Sequence, residues 1–300
     1  MKSFTAKYKN TKHYLHAVAD NIRYGFPSKR LRMIGVTGTD GKTTTTMLFY
    51  HVLKNLGKKV SVMSTVYAKI GEEVFDTGLH VTTPHSSLVQ KLLKQSADNG
   101  DEFFVLEVTS HGIDQHRVHG INYEVGVITN VTHEHLDYHR TYEEYLKTKS
   151  KLLLRSQLAF INRDDGSYAQ LKTILDSHSK KYFTYGLQNN ADFQVDMSDK
   201  LGENLAHFNK YNYLAVYAAC RTLGFPEEKI IEAMKDYKLP IGRMETVYDQ
   251  DFKVIVDFAH TPNALKEALG TVKDQMHGKG RLIHVFGCAG LRDHLKRPMM

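Results

Sequence analysis

The sequence contains no tryptophan, two cysteines and six prolines, and no apolar run nears the ~18 residues that a membrane-spanning helix requires. Cys220 and Cys288 lie too far apart for a disulfide framework, and they suit small core positions in a reducing compartment. The N-terminal stretch 1–20 is polar and mixed in charge, without the apolar segment of a signal peptide, so a cytoplasmic location is expected. An acidic balance is lacking too: 40 Lys and Arg outnumber 33 Asp and Glu, giving a formal charge of +7. The positive charges are scattered apart from Lys29-Arg30-Leu31-Arg32 and Lys180-Lys181. No aromatic-interleaved basic stripe occurs, so no nucleic-acid or membrane partner is expected. The charge suits polyphosphate and carboxylate ligands.

With 300 residues and 41% apolar content, the chain can build a sizeable core and two domains. Short apolar runs at 33–36, 60–64, 103–108, 125–129, 158–161, 254–258 and 282–286 read as strands. Helical stretches at 43–56, 86–98, 142–154 and 210–223 lie between them. Strands apolar at nearly every position suit burial on both faces, and their alternation with helices predicts βαβ units around a parallel sheet. The run Leu239-Pro240-Ile241-Gly242 interrupts a helical pattern and marks a boundary.

The sharpest local feature is Gly35-Val36-Thr37-Gly38-Thr39-Asp40-Gly41-Lys42-Thr43-Thr44, in which a buried strand enters a glycine-punctuated turn and then a helix start. Gly38 and Gly41 let backbone N–H groups converge on phosphate oxygens, and the helix N-terminus adds partial positive charge. Lys42 can reach β- and γ-phosphates, and the Thr43 hydroxyl can hold Mg²⁺. Val36 stands where the general phosphate-loop pattern has glycine, so this is a shortened form.

Glu107 closes the apolar run at 103–106, at the end of a strand where doubly wound folds bind ligands, and its carboxylate suits a hard cation. Arg117 offers a planar fork for a carboxylate or phosphate. His133, His135 and His139 crowd into seven residues and admit a zinc reading, although no cysteine lies nearby.

These segments together resemble the Mur ligases. Gly38-Thr39-Asp40-Gly41-Lys42-Thr43 resembles their Gly-Thr-Asn-Gly-Lys-Thr/Ser loop, with Asp40 in place of the usual Asn. The stretch 107–117 resembles the Glu-Val-Ser-Ser-His-Gly-x-x-Gln-His-Arg motif of the muramyl-tripeptide synthetases, and Thr82-Thr83-Pro84 resembles their Thr-Thr-Pro. By that likeness Thr82, Thr83, Thr109, Gln115 and Arg117 contact a muramyl-peptide substrate. The segment 130–139 resembles the family run in which His135 binds a second Mg²⁺. The spacing from Tyr145 aligns Lys149 with the family's carbamylated lysine, and with Thr43, Glu107 and His135 it completes the implied metal set.

Phe208-Asn209-Lys210-Tyr211-Asn212 resembles the Phe-Asn-x-x-Asn segment, which puts Asn209 and Asn212 near adenine. Gly242-Arg243-Met244-Glu245 and Asp257-Phe258-Ala259-His260-Thr261-Pro262 resemble motifs opening the C-terminal domain, where Arg243, Asp257 and His260 close over ATP. Residues 286–298 resemble a further motif of that domain, with departures at Ala289 and Leu291.

The resemblance implies an α/β fold: a phosphate-loop-type central domain at 31–238 with a mostly parallel sheet, after an N-terminal extension at 1–30. A partial Rossmann-like C-terminal domain follows at 239–300. It implies an ATP- and Mg²⁺-dependent ligase that joins an amino acid to a muramyl-peptide precursor through an acyl phosphate, with Lys42, Glu107, His135 and Lys149 catalytic. On the same expectation the uridine-binding domain is missing, the C-terminal domain is incomplete and open to self-association, and the 300-residue chain binds nucleotide without completing ligation. A folylpolyglutamate synthetase-like ligase and a nucleotide-binding protein without ligase activity are the competing readings.

Overall fold

The computed structural model describes residues 4–76, 82–132, 134, 136–202, 205–288 and 294–300. Helix α1 (Phe4–Arg23) leads through a short 3₁₀ turn into β1 (Arg32–Thr37) and α2 (Lys42–Asn55). Then follow β2 (Val60–Met63), β3 (Ala68–Ile70), β4 (Glu73–Phe75), α3 (Ser86–Asp98), β5 (Phe103–Glu107), α4 (Ser110–Asp114) and β6 (Tyr123–Ile128). The next elements are α5 (Leu136–His139), α6 (Tyr142–Leu154), β7 (Ser156–Asn162), α7 (Tyr168–Ser177) and β8 (Phe183–Tyr185). Helices α8 (Met197–Leu201), α9 (His207–Thr222) and α10 (Glu227–Lys235) complete the body. The C-terminal segment holds β9 (Glu245–Asp249), β10 (Lys253–Val256) and α11 (Pro262–Met276).

Eight strands form one sheet in the order β4-β3-β2-β5-β1-β6-β7-β8, parallel from β2 to β8, with β3 and β4 antiparallel at one edge. The central strands are buried on both faces, as their unbroken apolar runs predict. Ile34, Val36, Phe103, Val105, Val125 and Val127 point into a core shared with α2, α9 and α10. Met33, Phe104, Leu106 and Tyr123 point to the opposite face, against α3 and Leu152 of α6. The chain passes from β1 out to β2, returns through β5, and crosses to β6 on the other side of β1. The crevice at the C-terminal end of β1 is therefore the topological switch point at which such sheets take ligands.

The structure departs from the sequence reading in several places. Residues 282–286 form no strand: they pair with no ladder among the described residues, and Ile283 and Val285 are 68% and 90% exposed. Extended backbone becomes a strand only where a neighbour takes its N–H and C=O groups. The predicted strand at 254–258 stops at Val256 and pairs antiparallel with β9, which the sequence reading had not assigned. The predicted helix at 210–223 begins at His207, so Asn209 lies within its first turn. Within the stretch 1–30, expected only as an extension, the described residues are largely helical, and α1 rests on α3.

Candidate active site

The phosphate loop owes its shape to two glycines. Gly38 has φ +153°, and a Cβ there would lie 1.8 Å from Thr129 Oγ1. Gly41 has φ +81°, and its Cβ would lie 2.4 Å from Asn212 Oδ1. Both positions therefore require glycine: the first to sit beside the end of β6, the second to turn into α2 against α9. Gly41 is the N-cap of α2 and offers no side chain, which leaves first-turn N–H groups for an anion. The loop is fixed from behind by Asn130, whose carbonyl accepts from Thr39 N at 2.9 Å and whose Oδ1 accepts from Asp40 N at 2.9 Å.

Two lysines flank the loop. Lys42 Nζ donates to the Thr39 carbonyl at 2.6 Å. Lys149 on α6 is buried beneath the loop, 1% exposed, and donates to the Gly38 carbonyl at 2.6 Å. Burial pushes its amine well below the ordinary lysine range, and the Lys42 ammonium pushes the same way, against Glu134 and Asp40. Its neighbour Tyr145 lies under that nitrogen, 4.5 Å from ring centroid to Nζ, and meets Thr39 Oγ1 at 3.2 Å through its hydroxyl.

Glu107 ends β5 with 1% exposure and is held on all sides. Thr65 donates to it twice, from its N–H at 2.9 Å and its hydroxyl at 2.9 Å, and Thr43 Oγ1 donates at 3.0 Å. Arg243, from the C-terminal segment, reaches Thr43 Oγ1 at 3.1 Å. Burial lowers the Arg243 pKa, while Glu107, Asp257 and Asp40 act in the opposite sense. Asp257 serves locally instead, accepting from Met244 N at 2.8 Å and Ala259 N at 2.7 Å. His260 Nε2 stands 3.3 Å from Glu134 Oε1.

The expected substrate residues form one connected group on the same side. Thr82 Oγ1 meets Thr65 Oγ1 at 2.9 Å, which links it to Glu107. Thr83 Oγ1 donates to the Glu107 carbonyl at 3.2 Å and accepts from Thr109 N at 3.0 Å. Arg117 donates to Thr83 O at 2.5 Å and grips Gln115 Oε1 with both Nε and Nη2, at 3.1 and 2.6 Å. Gln115 then reaches the Tyr138 hydroxyl at 3.3 Å. Between Gln115 and Arg117, His116 takes φ +56°, a left-handed kink that turns both neighbours to one side.

Asn209 and Asn212 are buried together on α9, with Asn212 Nδ2 donating to Asn209 Oδ1 at 3.0 Å and Asn212 Oδ1 accepting from Thr45 at 3.2 Å. His133 and His135 lie outside the described residues, so the metal role expected of His135 has no geometry here. Among the described residues no group of three or more His, Cys, Asp or Glu side chains could hold a metal ion. The oxygen donors Thr43 and Glu107 nevertheless suit Mg²⁺, a hard cation that keeps much of its own water. Thr65, Asn130, Tyr145 and Glu134 escaped the sequence reading as site-forming residues. Asn130 and Glu134 lie within the segment singled out for its histidines, whereas nothing beside Thr65 marks it.

Fold and site define the class: a doubly wound α/β body whose shortened phosphate loop faces a strand-end carboxylate and a C-terminal arginine. The Mur ligase middle domain matches residues 36–220, and the Mur ligase, glutamate ligase domain matches residues 242–300. The chain belongs to the Mur ligase family.

A UDP-N-acetylmuramoyl-L-alanyl-D-glutamate--2,6-diaminopimelate ligase of Geobacillus kaustophilus is 38% identical over 312 residues, which covers 95% of this chain and 62% of that protein. A protein of the same name from Parabacteroides distasonis is 39% identical over 295 residues, covering 92% of this chain and 60% of that one. A solved structure with that name superposes with a TM-score of 0.68 at 31% identity, over 90% of this chain and 59% of the other. The folylpolyglutamate synthase of Mycobacterium tuberculosis, solved with ADP and AMPPCP, gives a TM-score of 0.68 at 15% identity over 86% of this chain and 70% of the other, a likeness of fold. The chain thus spans about three fifths of the length of the curated relatives named here.

Proposed function

We propose that the chain carries the ATP-binding and carboxylate-activating part of a cytoplasmic acid–amino-acid ligase acting on a muramyl-peptide precursor in peptidoglycan synthesis. The observation that carries this reading is the convergence on Thr43 Oγ1 of Glu107 at 3.0 Å and Arg243 at 3.1 Å. That convergence brings a loop, a strand end and a C-terminal side chain to the point where a polyphosphate leaves the α2 N-terminus. In this reading residues 31–238 form the central domain and 239–300 part of a C-terminal domain, behind the α1-bearing stretch 1–30.

Lys42 and the free N–H groups of the α2 first turn bind the phosphates and lower the cost of charge developing as the γ-phosphoryl passes to a substrate carboxylate. Thr43 and Glu107 would hold Mg²⁺, with His135 and a carbamylated Lys149 for a second ion. The ions supply neutralisation of phosphate charge. Arg117, braced by Gln115 and Thr83, orients the carboxylate-bearing substrate in line, together with Thr82 and Thr109. Asn209 and Asn212 lie toward the adenine side, and Arg243, Asp257 and His260 bring the C-terminal segment over the nucleotide. Transfer of the γ-phosphoryl would release ADP, and an amine that then displaces phosphate from the acyl phosphate would leave amide and phosphate.

Support comes from the family membership and from the single connected hydrogen-bond group that joins Thr43, Glu107, Thr65, Thr82, Thr83, Thr109 and Arg117. The apolar residues Ile283 and Val285, 68% and 90% exposed, are where self-association would occur. The test measures phosphate release and amide product by mass spectrometry from the full-length gene product with ATP and Mg²⁺. A muramyl dipeptide with diaminopimelate or lysine is one arm, and a reduced folate with glutamate is the other. Amino-acid-dependent release in the first arm supports the reading. Release only in the second, or in neither despite nucleotide binding, overturns it.

A further inference from the structure

Asp40 stands at the tip of the phosphate loop, and its backbone is held entirely by the end of β6. Its N–H donates to Asn130 Oδ1 at 2.9 Å, and its carbonyl accepts from Thr129 Oγ1 at 2.6 Å and Asn130 Nδ2 at 3.1 Å. The carboxylate takes no part in this anchoring and turns toward the C-terminal segment. There it accepts from Thr261 Oγ1, 3.2 Å from Oδ1 and 3.4 Å from Oδ2, and from Asn263 Nδ2 at 3.2 Å.

Thr261 is the N-cap of α11: its hydroxyl oxygen accepts from Ala264 N at 3.0 Å and its hydroxyl hydrogen is left for Asp40. One fully buried hydroxyl thus serves the helix and the loop together. The fifteen-residue α11 carries no acidic residue in its own first turn, and Pro262 contributes no N–H there. A negative charge near a helix N-terminus stabilises the helix, and here that charge comes from a residue 221 positions earlier in the chain.

We propose that Asp40 is a positioning residue: through Thr261 and Asn263 it latches α11, and with it the C-terminal segment, onto the phosphate loop. The loop is preset by Asn130 and Thr129, so the latch reports and fixes the seating of α11 without shaping the loop. Glu134 meets His260 at 3.3 Å, one residue before the α11 N-cap, and Arg243 meets Thr43 at 3.1 Å; these are further contacts between the same two parts, but neither bonds the capping hydroxyl or Asn263. The inference goes beyond the proposed reaction, and its test requires no turnover.

The experiment is hydrogen exchange by mass spectrometry on the full chain without nucleotide, comparing Asp40→Ala, Asn263→Ala and Thr261→Ser with the parent. In Asp40→Ala the amides of α11 should exchange roughly 10-fold faster, the scale of a lost charge-assisted hydrogen bond, while β1 and α2 keep their protection. Asn263→Ala should raise α11 exchange by a smaller factor, and Thr261→Ser, which keeps the hydroxyl, should leave it unchanged. Equal acceleration of α2 and β1 in Asp40→Ala would mean that the side chain holds the loop itself, and the proposal would fail. It would also fail if α11 exchange stayed within twofold of the parent in Asn263→Ala, a variant outside the loop that reports even if Asp40→Ala does not fold.

Discussion

The Lys149 nitrogen meets the Gly38 carbonyl oxygen at 2.6 Å, although 111 residues separate them and Lys149 is fully buried. An amine placed there keeps its proton poorly, which has two measurable consequences.

The first consequence is for stability against pH. The lysine is charged in the unfolded chain up to about its ordinary value of 10.5, whereas burial and Lys42 hold the folded value well below that. Its penalty on folding is absent above pH 10.5, grows as pH falls from there, and is complete once pH drops below the folded value. Between the two values this residue makes stability rise with pH by up to about 1.4 kcal/mol per unit. Urea midpoints across that range should flatten in Lys149→Met, and an unchanged slope would assign the pH dependence elsewhere.

The second consequence is chemical. A neutral amine adds to CO₂, which a protonated one cannot do, so crystals grown with bicarbonate and nucleotide should show density extending past Nζ of Lys149. A bare amine in an ordered, nucleotide-bound site would remove the second-metal role proposed for it.

Lys42→Ala is expected to lower nucleotide turnover by roughly 10²–10³, the usual scale for one lost electrostatic contact to a transition state. Among the described residues Lys42 Nζ donates to the loop carbonyl of Thr39, within its own loop, so the thermal midpoint should hardly move. Calorimetric titration with ATP and a melting curve together check it; unchanged binding and turnover would end the phosphate-loop reading.

Glu107→Gln keeps volume but presents an amide to Thr43 and Thr65, which now donate to a carboxylate. We expect a stability loss of about 1–3 kcal/mol and a shift of the Mg²⁺ activation curve to higher concentration. If the Mg²⁺ dependence is unaltered while stability falls, Glu107 is structural.

Gly41→Ala places a methyl 2.4 Å from Asn212 Oδ1 at φ +81°. Steric and backbone terms should together cost about 1–3 kcal/mol. Asn212→Ala has its own cost through lost bonds to Asn209 and Thr45, but in that background Gly41→Ala should cost only the backbone part, so the double variant loses less than the two single losses added together.

Much of this was legible in the sequence. Strand–turn–helix order around Gly38–Lys42, apolar runs at β1, β5 and β6, and the strand-end position of Glu107 follow from local pattern, because buried parallel strands advertise themselves by composition. Short outer strands do not: β3, β4 and β8 are three residues each, and pairing rather than composition makes them strands. Thr65 could not be singled out either, since its role arises where the end of β2 passes Glu107, a meeting that exists only after the sheet orders β2 beside β5. Residues 282–286 show the opposite failure, a strong β composition with no neighbour to pair it among the described residues. The proposed assignments for Asn209 and Asn212 depended on likeness alone, and the structure adds a packing reason, Asn212 lying against Gly41 and Thr45.

The hydroxyl of Tyr237 donates to the carbonyl of Thr44 at 3.1 Å, so the second residue after α10 is fastened to the first turn of the phosphate-loop helix. Burial pushes that phenol well above its usual range, and it keeps its proton for this bond at any physiological pH. Residues 238–300 are therefore tethered close to the axis of α2. Arg243, six residues beyond this pin, and Thr261, the N-cap of α11, meet the same short stretch of chain, at Thr43 and at Asp40. Five consecutive residues, 40–44, thus form a seam on which three separate points of the C-terminal segment are stitched, and parting that segment from the body means undoing all three stitches along it.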